Sequence, residues 1–236
     1  MQSLEQLRRE LPEIENKIRY SFEERSLLEL AFVHRSFVNE NRGSVEGHNE
    51  RLEFLGDAVL GLIVSDFLYL ELPEKPEGDL SYLRSRLVEA STCSRYIERV
   101  GLETYVLMGK GESMNEGKGR ASIQADLFEA LIGAIYLDGG MEAASTFFFD
   151  HYKKDVLEIM ASPNRNWKAE LQDYCQKNYQ KPPTYTVEKE EGPDHEKIFH
   201  IVVSIDDLIL GNGEGSSKKE AEQSGAQQAI EEFENK

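Results

Sequence analysis

Glu50, Glu53 and Asp57 stand at i, i+3 and i+7 in the segment NERLEFLGDAVLG (49–61). At about 100° per residue that spacing lines three carboxylates along one narrow helical stripe. A second segment, ASIQADLFEALIGAIYLDGG (121–140), carries Asp126 and Glu129 at i, i+3. Acids in such a pattern ordinarily face solvent. Here almost every position from Phe54 to Leu70 is apolar, which predicts a helix buried on most sides. An ionised Asp57 inside it is expensive unless something pairs with it. No basic residue within either apolar stretch is placed to neutralise these acids. The counter-charge they call for is a divalent cation, and an all-oxygen donor set with room for water suits Mg2+ or Mn2+. Asp66, nine residues beyond Asp57, falls on the opposite face and reads as solvated. None of the five histidines has the partners of a nucleophilic triad, and His34 reads as structural.

The elements that must position these acids are helices. Leu4, Leu7, Leu11, Ile14 and Ile18 recur at helical spacing, with Pro12 kinking or interrupting the segment. Ser26 can cap a helix running through Leu27–Val33, and residues 39–49 read as a loop. A long apolar helix follows at about 50–71, then helices at about 78–99, 121–138 and 141–160. No strand pattern appears before residue 160. Ser162–Asn166 has linker chemistry, and the periodicity changes after it. Trp167, Leu171, Tyr174, Cys175 and Asn178 follow one helix face, ended by Pro182-Pro183. Thr184–Lys189, the alternating Phe199, Ile201, Val203 and Ile205, and Leu208–Leu210 read as three strands. Ala226, Ala229, Ile230 and Phe233 mark a last amphipathic helix. The fold class expected is therefore an all-α domain over 1–161, a linker at 162–166, and a small α+β domain of order α-β-β-β-α over 167–236.

Composition narrows the function classes. No apolar run reaches the roughly 18 to 20 residues a membrane span needs, and the N-terminus has no secretory apolar region. Cys93 and Cys175 have no metal-ligand spacing and read as reduced, semi-buried thiols of a cytoplasmic protein. The net charge of −17 argues against nucleic-acid binding through bulk charge, because duplexes are polyanions. Both halves are acidic: residues 1–162 carry 18 basic and 29 acidic side chains, residues 163–236 carry 9 and 15. Any contact with nucleic acid must rest on clustered cations or on metal ions.

NERLEFLGDAVL closely resembles the signature of the ribonuclease III family. ADLFEALIGAIYLDGG resembles its second acidic motif, AFVHRSF (31–37) its upstream helix, and EGDLSYLRSRLV (77–88) the segment after the signature helix. The match runs in the family's order across nearly the whole chain. It implies metal ligation by Glu53, Asp57, Asp126 and Glu129, with Asp57 and Glu129 catalytic and Glu129 the essential carboxylate. Glu50 and Glu77 match acids near the scissile strand, metal-linked or water-linked. All six positions keep the expected acid. The implied reaction is metal-dependent hydrolysis of double-stranded RNA to 5′-phosphate and 3′-hydroxyl ends, in processing of ribosomal and other structured precursors. The metal would lower the pKa of a bound water and stabilise charge on both reacting oxygens. The resemblance also implies a homodimer, in which Phe54 packs into the partner subunit or is an ordinary core phenylalanine. It implies no organic cofactor and no membrane.

Residues from about 165 to the end resemble a double-stranded-RNA-binding domain. Ser216-Ser217 has N-cap chemistry, and Lys218-Lys219 occupies the first turn of the last helix, where cations oppose the helix dipole. A locally unfavourable pair of cations suggests a phosphate partner. By resemblance Gln172, Pro193, Asp194 and His195 add contacts across the minor grooves of an A-form duplex. Glu222 stands where such domains often continue with another lysine. Two other readings compete with a nuclease. A non-catalytic duplex-binding regulator is opposed by the intact acids, and an all-α phosphohydrolase acting on nucleotides is opposed by the C-terminal domain.

Overall fold

A computed structural model describes residues 3–41, 43, 47–113, 119–161, 166–192 and 197–234. The chain divides into two units, Met1–Ser162 and Pro163–Lys236. In the first, α1 (Leu4–Ile18) buries Leu7, Leu11, Ile14 and Ile18 along one face. Pro12 does not interrupt it. The ring sits on the exposed side, and the apolar face outweighs the one backbone hydrogen bond the proline removes.

The segment AFVHRSF is not one helix. It spans the break between α2 (Arg25–Ala31) and α3 (Arg35–Glu40). Its backbone pairs instead with Leu107, through Leu107 N–H to the Phe32 carbonyl at 2.8 Å and His34 N–H to the Leu107 carbonyl at 3.0 Å. Glu24, not Ser26, stands at the cap position of α2, and Ser26 lies inside the helix donating its hydroxyl to Glu24. α4 (Glu50–Glu71) follows. The single helix expected at 78–99 is two, α5 (Glu77–Leu87) and α6 (Ala90–Val100), separated where Glu89 is extended. The bend has a packing reason: α5 buries only Leu87, whereas α6 turns Cys93, Tyr96 and Ile97 into the core. After the short α7 (Lys110–Ser113), α8 (Arg120–Ala161) runs as two helical stretches broken at Gly140, whose φ of 76° belongs to no helix. Tyr96, Phe128, Phe148 and Tyr152 pack ring against ring at the centre of this unit.

In the second unit α9 (Trp167–Tyr179) precedes β1 (Thr184–Glu191), β2 (Ile198–Ile205), β3 (Leu208–Gly215) and α10 (Lys218–Glu234). The sheet is antiparallel in the order β1-β2-β3. Leu171 and Cys175 of α9 join Ile201, Val203, Ile205 and Leu210 of the sheet and Ala226, Ala229 and Ile230 of α10 in one core. β1 and β3 both run further than their apolar residues suggest. β3 continues through Gly211, Gly213 and Gly215 because α10 lies directly on it: a Cβ at Gly213 would stand 2.0 Å from the Ala221 carbonyl oxygen. Both cysteines are free and fully buried. Among the described residues no helix is long and apolar enough to cross a membrane.

Candidate active site and nucleic-acid interface

The acidic segments meet because α4 and α8 cross backbone against backbone. A Cβ on Gly56 would stand 1.7 Å from the Glu129 carbonyl oxygen, and one on Gly133 would stand 2.3 Å from that of Leu52. Glu53 and Asp57 flank Gly56 on one helix, and Asp126 and Glu129 precede Gly133 on the other. Glycine in a helix interior costs about 1 kcal/mol relative to alanine, so LEFLGDAV and ALIGAIY each carry a signal of close approach that the reading of the acids passed over.

The start of α4 is pinned as well. Asn49, 1% exposed, donates its backbone N–H to the Val33 carbonyl at 2.9 Å and its side-chain amide to that of Ala31 at 3.3 Å. The supposed loop 39–49 thus ends on a buried anchor. Beside it, Ser36 N–H donates to His34 Nδ1 at 3.3 Å, an arrangement in which the neutral form of the ring carries its proton on Nε2. The Ser36 hydroxyl meanwhile accepts from Gly109 N–H at 2.9 Å.

The electrostatics follow from this crossing. Burial, then Asp57, Asp126 and Glu53, push the Glu129 carboxyl up to about 8. Burial raises Glu53 too, with Asp126, Glu50 and Asp57 adding to it. Asp126 is raised by burial and Glu50, against an opposing pull from His34. The same field reaches the buried Cys93, whose thiol is pushed up by burial and then by Glu129 and Asp57. Among the described residues, Glu53, Asp57, Asp126 and Glu129 make no ion pair.

Two expectations change. Asp57 is exposed rather than buried, because α4 is covered on one side only. Phe54 is 80% exposed, so within this chain it is no core residue; Leu62 and Tyr69 extend the same uncovered stripe. A counter-charge does reach one of the acids, from outside the apolar stretches. Glu50 pairs with Arg35 at 3.3 Å, and His48 Nδ1 lies 3.7 Å from its carboxylate. Glu77, exposed in the first turn of α5, accepts the Ser81 hydroxyl at 2.7 Å. Asp66 is exposed, as read.

Does this set fit a metal? All four unpaired acids are oxygen donors, two from each helix; the charges of Asp57, Asp126 and Glu53 oppose ionisation of Glu129, and those of Asp126 and Asp57 oppose that of Glu53, which is the setting a divalent cation relieves. Among the described residues no three Asp, Glu, His or Cys side chains are gathered closely enough to hold an ion. The helices bring the donors to one patch without converging them on a point.

In the second unit Gln172 is exposed on α9. Pro193, Asp194 and His195 lie outside the described residues. At the start of α10 the caps are as expected: Ser217 Oγ accepts from Glu220 N–H at 3.2 Å, and the Glu220 carboxylate takes the Ser216 N–H at 2.8 Å. Lys219 is exposed and makes no ion pair among the described residues. Lys218 instead pairs with Glu190 at 3.4 Å. Glu222, where such domains often carry another lysine, holds Lys168 at 2.5 Å.

Comparison with known proteins covers both units. The Ribonuclease-III-like family model matches residues 24–156, and the Double-stranded RNA binding motif matches residues 167–232. The chain is 60% identical over 230 residues to Ribonuclease 3 of Protochlamydia amoebophila, spanning 98% of this chain and 95% of that one. With Ribonuclease 3 of Syntrophobacter fumaroxidans it shares 42% identity over 93% of each. Two solved structures of the nuclease domain of ribonuclease III from Campylobacter jejuni are similar. One matches with TM-score 0.55 and 39% identity over 60% of this chain and 94% of its own; its description concerns flexibility in a region involved in dimer formation. The other matches with TM-score 0.54 and 36% identity over 70% of this chain and 99% of its own.

Proposed function

We propose that in this chain, which belongs to the ribonuclease III family and is a double-strand-specific endoribonuclease, Glu53, Asp57, Asp126 and Glu129 hold the divalent metal such nucleases use. Asp57 and Glu129 are read as the catalytic pair. The observation that carries this reading is the α4–α8 crossing, which brings together four acids that find no cation among the described residues, with Glu129 and Glu53 held above their usual range by burial and by the neighbouring acids. Mg2+ suits the set, with Mn2+ as substitute. When bound, the metal supplies an activated water and stabilises charge on the attacking and leaving oxygens, yielding 5′-phosphate and 3′-hydroxyl ends.

The chain's own groups do the positioning. The glycine crossing sets the spacing of the acids. Asn49, bonded to Val33 and Ala31, fixes where α4 begins. Glu50, steadied by Arg35, stands at the rim of the patch toward the scissile strand. Glu77 is assigned to the same strand from α5. Phe54, exposed on the apolar stripe of α4, is read as packing into a second copy, a homodimer with one site per subunit. The domain assignment that goes with this is a nuclease domain over 1–161, a linker at 162–166 and a duplex-binding domain over 167–236. Gln172, Pro193, Asp194, His195, Lys218 and Lys219 are its proposed duplex contacts, and the two free thiols suit a cytoplasmic location.

The test is cleavage of a long duplex RNA with Mg2+ by the wild-type chain and by Glu129→Gln. Metal-held charge stabilisation is worth several kcal/mol, and 1.36 kcal/mol is tenfold in rate, so the variant should lose on the order of a thousandfold in rate. Its duplex affinity should be kept. Cleavage at wild-type rate by Glu129→Gln would overturn the assignment.

A further inference from the structure

The register of the second unit's sheet builds a contact that the nuclease reading does not use. Glu190, Phe199 and Gly215 lie side by side across β1, β2 and β3. Gly215 ends its strand against the first turn of α10, where a Cβ would come within 2.6 Å of Ala221 N. Lys218, three residues on, therefore runs back over the Phe199 ring, its ammonium 5.6 Å from the centroid. It ends 3.4 Å from Glu190 Oε1, while Glu190 Oε2 is 3.5 Å from Lys197 Nζ. A bulge between Val187 and Lys189 is what makes this possible. In unbroken register Lys189 would face Phe199, putting a third cation beside Lys218. The extra residue brings an acid there instead.

We propose that Glu190 is an internal phosphate surrogate: in the free protein it occupies Lys218, and a duplex phosphate must displace it to make the contact assigned above to that lysine. The inference rests on the reading of Lys218 as a phosphate contact. The exchange has two consequences. Exposed ion pairs are weak, so the carboxylate lowers duplex affinity by no more than about fivefold. It also flattens the salt dependence. A phosphate neutralised by a lysine releases a counterion from the RNA, but the displaced Glu190 takes one up again, so this contact adds little to the slope.

The experiment measures duplex affinity against salt concentration in the full chain carrying Glu129→Gln, so that binding is read without cleavage. Glu190→Gln should tighten binding about two- to fivefold and steepen the log–log salt slope by about one unit. Asp207→Asn, which removes the same charge at the far end of the sheet, should do distinctly less. In a Lys218→Gln background the gain from Glu190→Gln should vanish. An equal gain with or without Lys218, or one matched by Asp207→Asn, would mean general charge repulsion and sink the proposal. Weaker binding by Glu190→Gln would do so too, since Glu190 would then be holding Lys218 in place for the RNA. If Lys218→Gln alone changes neither affinity nor slope, the underlying assignment of Lys218 fails; if it weakens binding while Glu190→Gln gives no gain, only the surrogate fails.

Discussion

The acidic patch of the first unit and the cationic edge of the second both place charge where the local surroundings disfavour it, with opposite bookkeeping. Glu53, Asp57, Asp126 and Glu129 come from two helices and make no ion pair among the described residues, and after burial it is the other three acids that raise Glu129. Lys218 sits in a helix's first turn, where the dipole repels it, yet it already has a carboxylate and a ring face. Among the described residues the first region has no counter-charge on these four acids, and the proposed metal would be the one to supply it. The second has one and must give it up. Metal and RNA are thus expected to act with opposite electrostatic consequences, the one relieving a repulsion and the other exchanging one anion for another. In a chain of net charge −17 this fits a duplex reader of restrained affinity beside a site demanding a cation.

Both regions depend on a glycine that lets backbones touch, so the sharpest way to separate them is to fill each in turn. Gly56→Ala puts a methyl 1.7 Å from a backbone oxygen of α8, and Gly213→Ala puts one 2.0 Å from a backbone oxygen of α10. Overpacking typically costs about 1–3 kcal/mol, and because neither obstacle is a side chain that can swing away, the upper end applies. Trp167, the only tryptophan, packs on the second core and gives a readout for that unit alone. In urea, Gly56→Ala should leave the tryptophan transition in place and move the main helical transition, measured by circular dichroism, to lower denaturant. Gly213→Ala should do the reverse. A Gly56→Ala chain with an unmoved helical transition and intact cleavage would remove the crossing as the device that assembles the acids.

The carboxylate spacing is legible in the sequence because helical periodicity is strict: Glu53 and Asp57 share a stripe whatever else the chain does. What covers a helix is not legible in the same way. Phe54 reads as a core residue or as a contact with a second copy because an apolar residue looks alike in either setting, and the apolar run around Asp57 makes an exposed acid look buried. The break at Glu89 escapes periodicity because both flanking stretches are helical, and only the need to turn Cys93 and Tyr96 inward bends the chain. In the second unit the succession of helices and strands was legible, but the Lys218–Glu190 pair was not. It joins residues 28 apart through a register that a single bulged residue resets, and no local pattern announces a bulge.

The acid patch makes a pH prediction whose sign is set by Glu129. Its carboxyl is raised from 4.5 to about 8, so the folded state holds that proton more tightly than the unfolded chain. Its stabilising contribution is complete below about pH 4.5 and is lost as pH rises through about 8, with the raised Glu53 and Asp126 acting in the same direction. Metal-free protein should therefore lose melting temperature in its first unit between pH 5.5 and 8.5. Added Mg2+ should restore more at the upper pH than at the lower, since binding is strongest where the acids are ionised. A Mg2+ shift independent of pH would show that the cation binds somewhere other than this patch.

The smallest expected effect tests the other side of the comparison. Lys218 and Lys219 are adjacent cations on the same helical turn, and a simple phosphate cradle would treat them alike. The structure does not: Lys218 is held by Glu190, whereas Lys219 is exposed and makes no ion pair among the described residues. A phosphate on Lys219 displaces no protein anion, so its contact should carry the full counterion release, a slope of about 0.9. The contact of Lys218 is offset by the carboxylate it must leave. Lys219→Gln should accordingly weaken duplex binding by the larger factor, a few-fold at moderate salt, and flatten the salt slope by about one unit. Lys218→Gln should weaken binding less and change the slope little. Equal losses and equal slope changes from the two variants would show that Glu190 exerts no hold on its lysine in solution, and the two regions would then differ only in the sign of their charge.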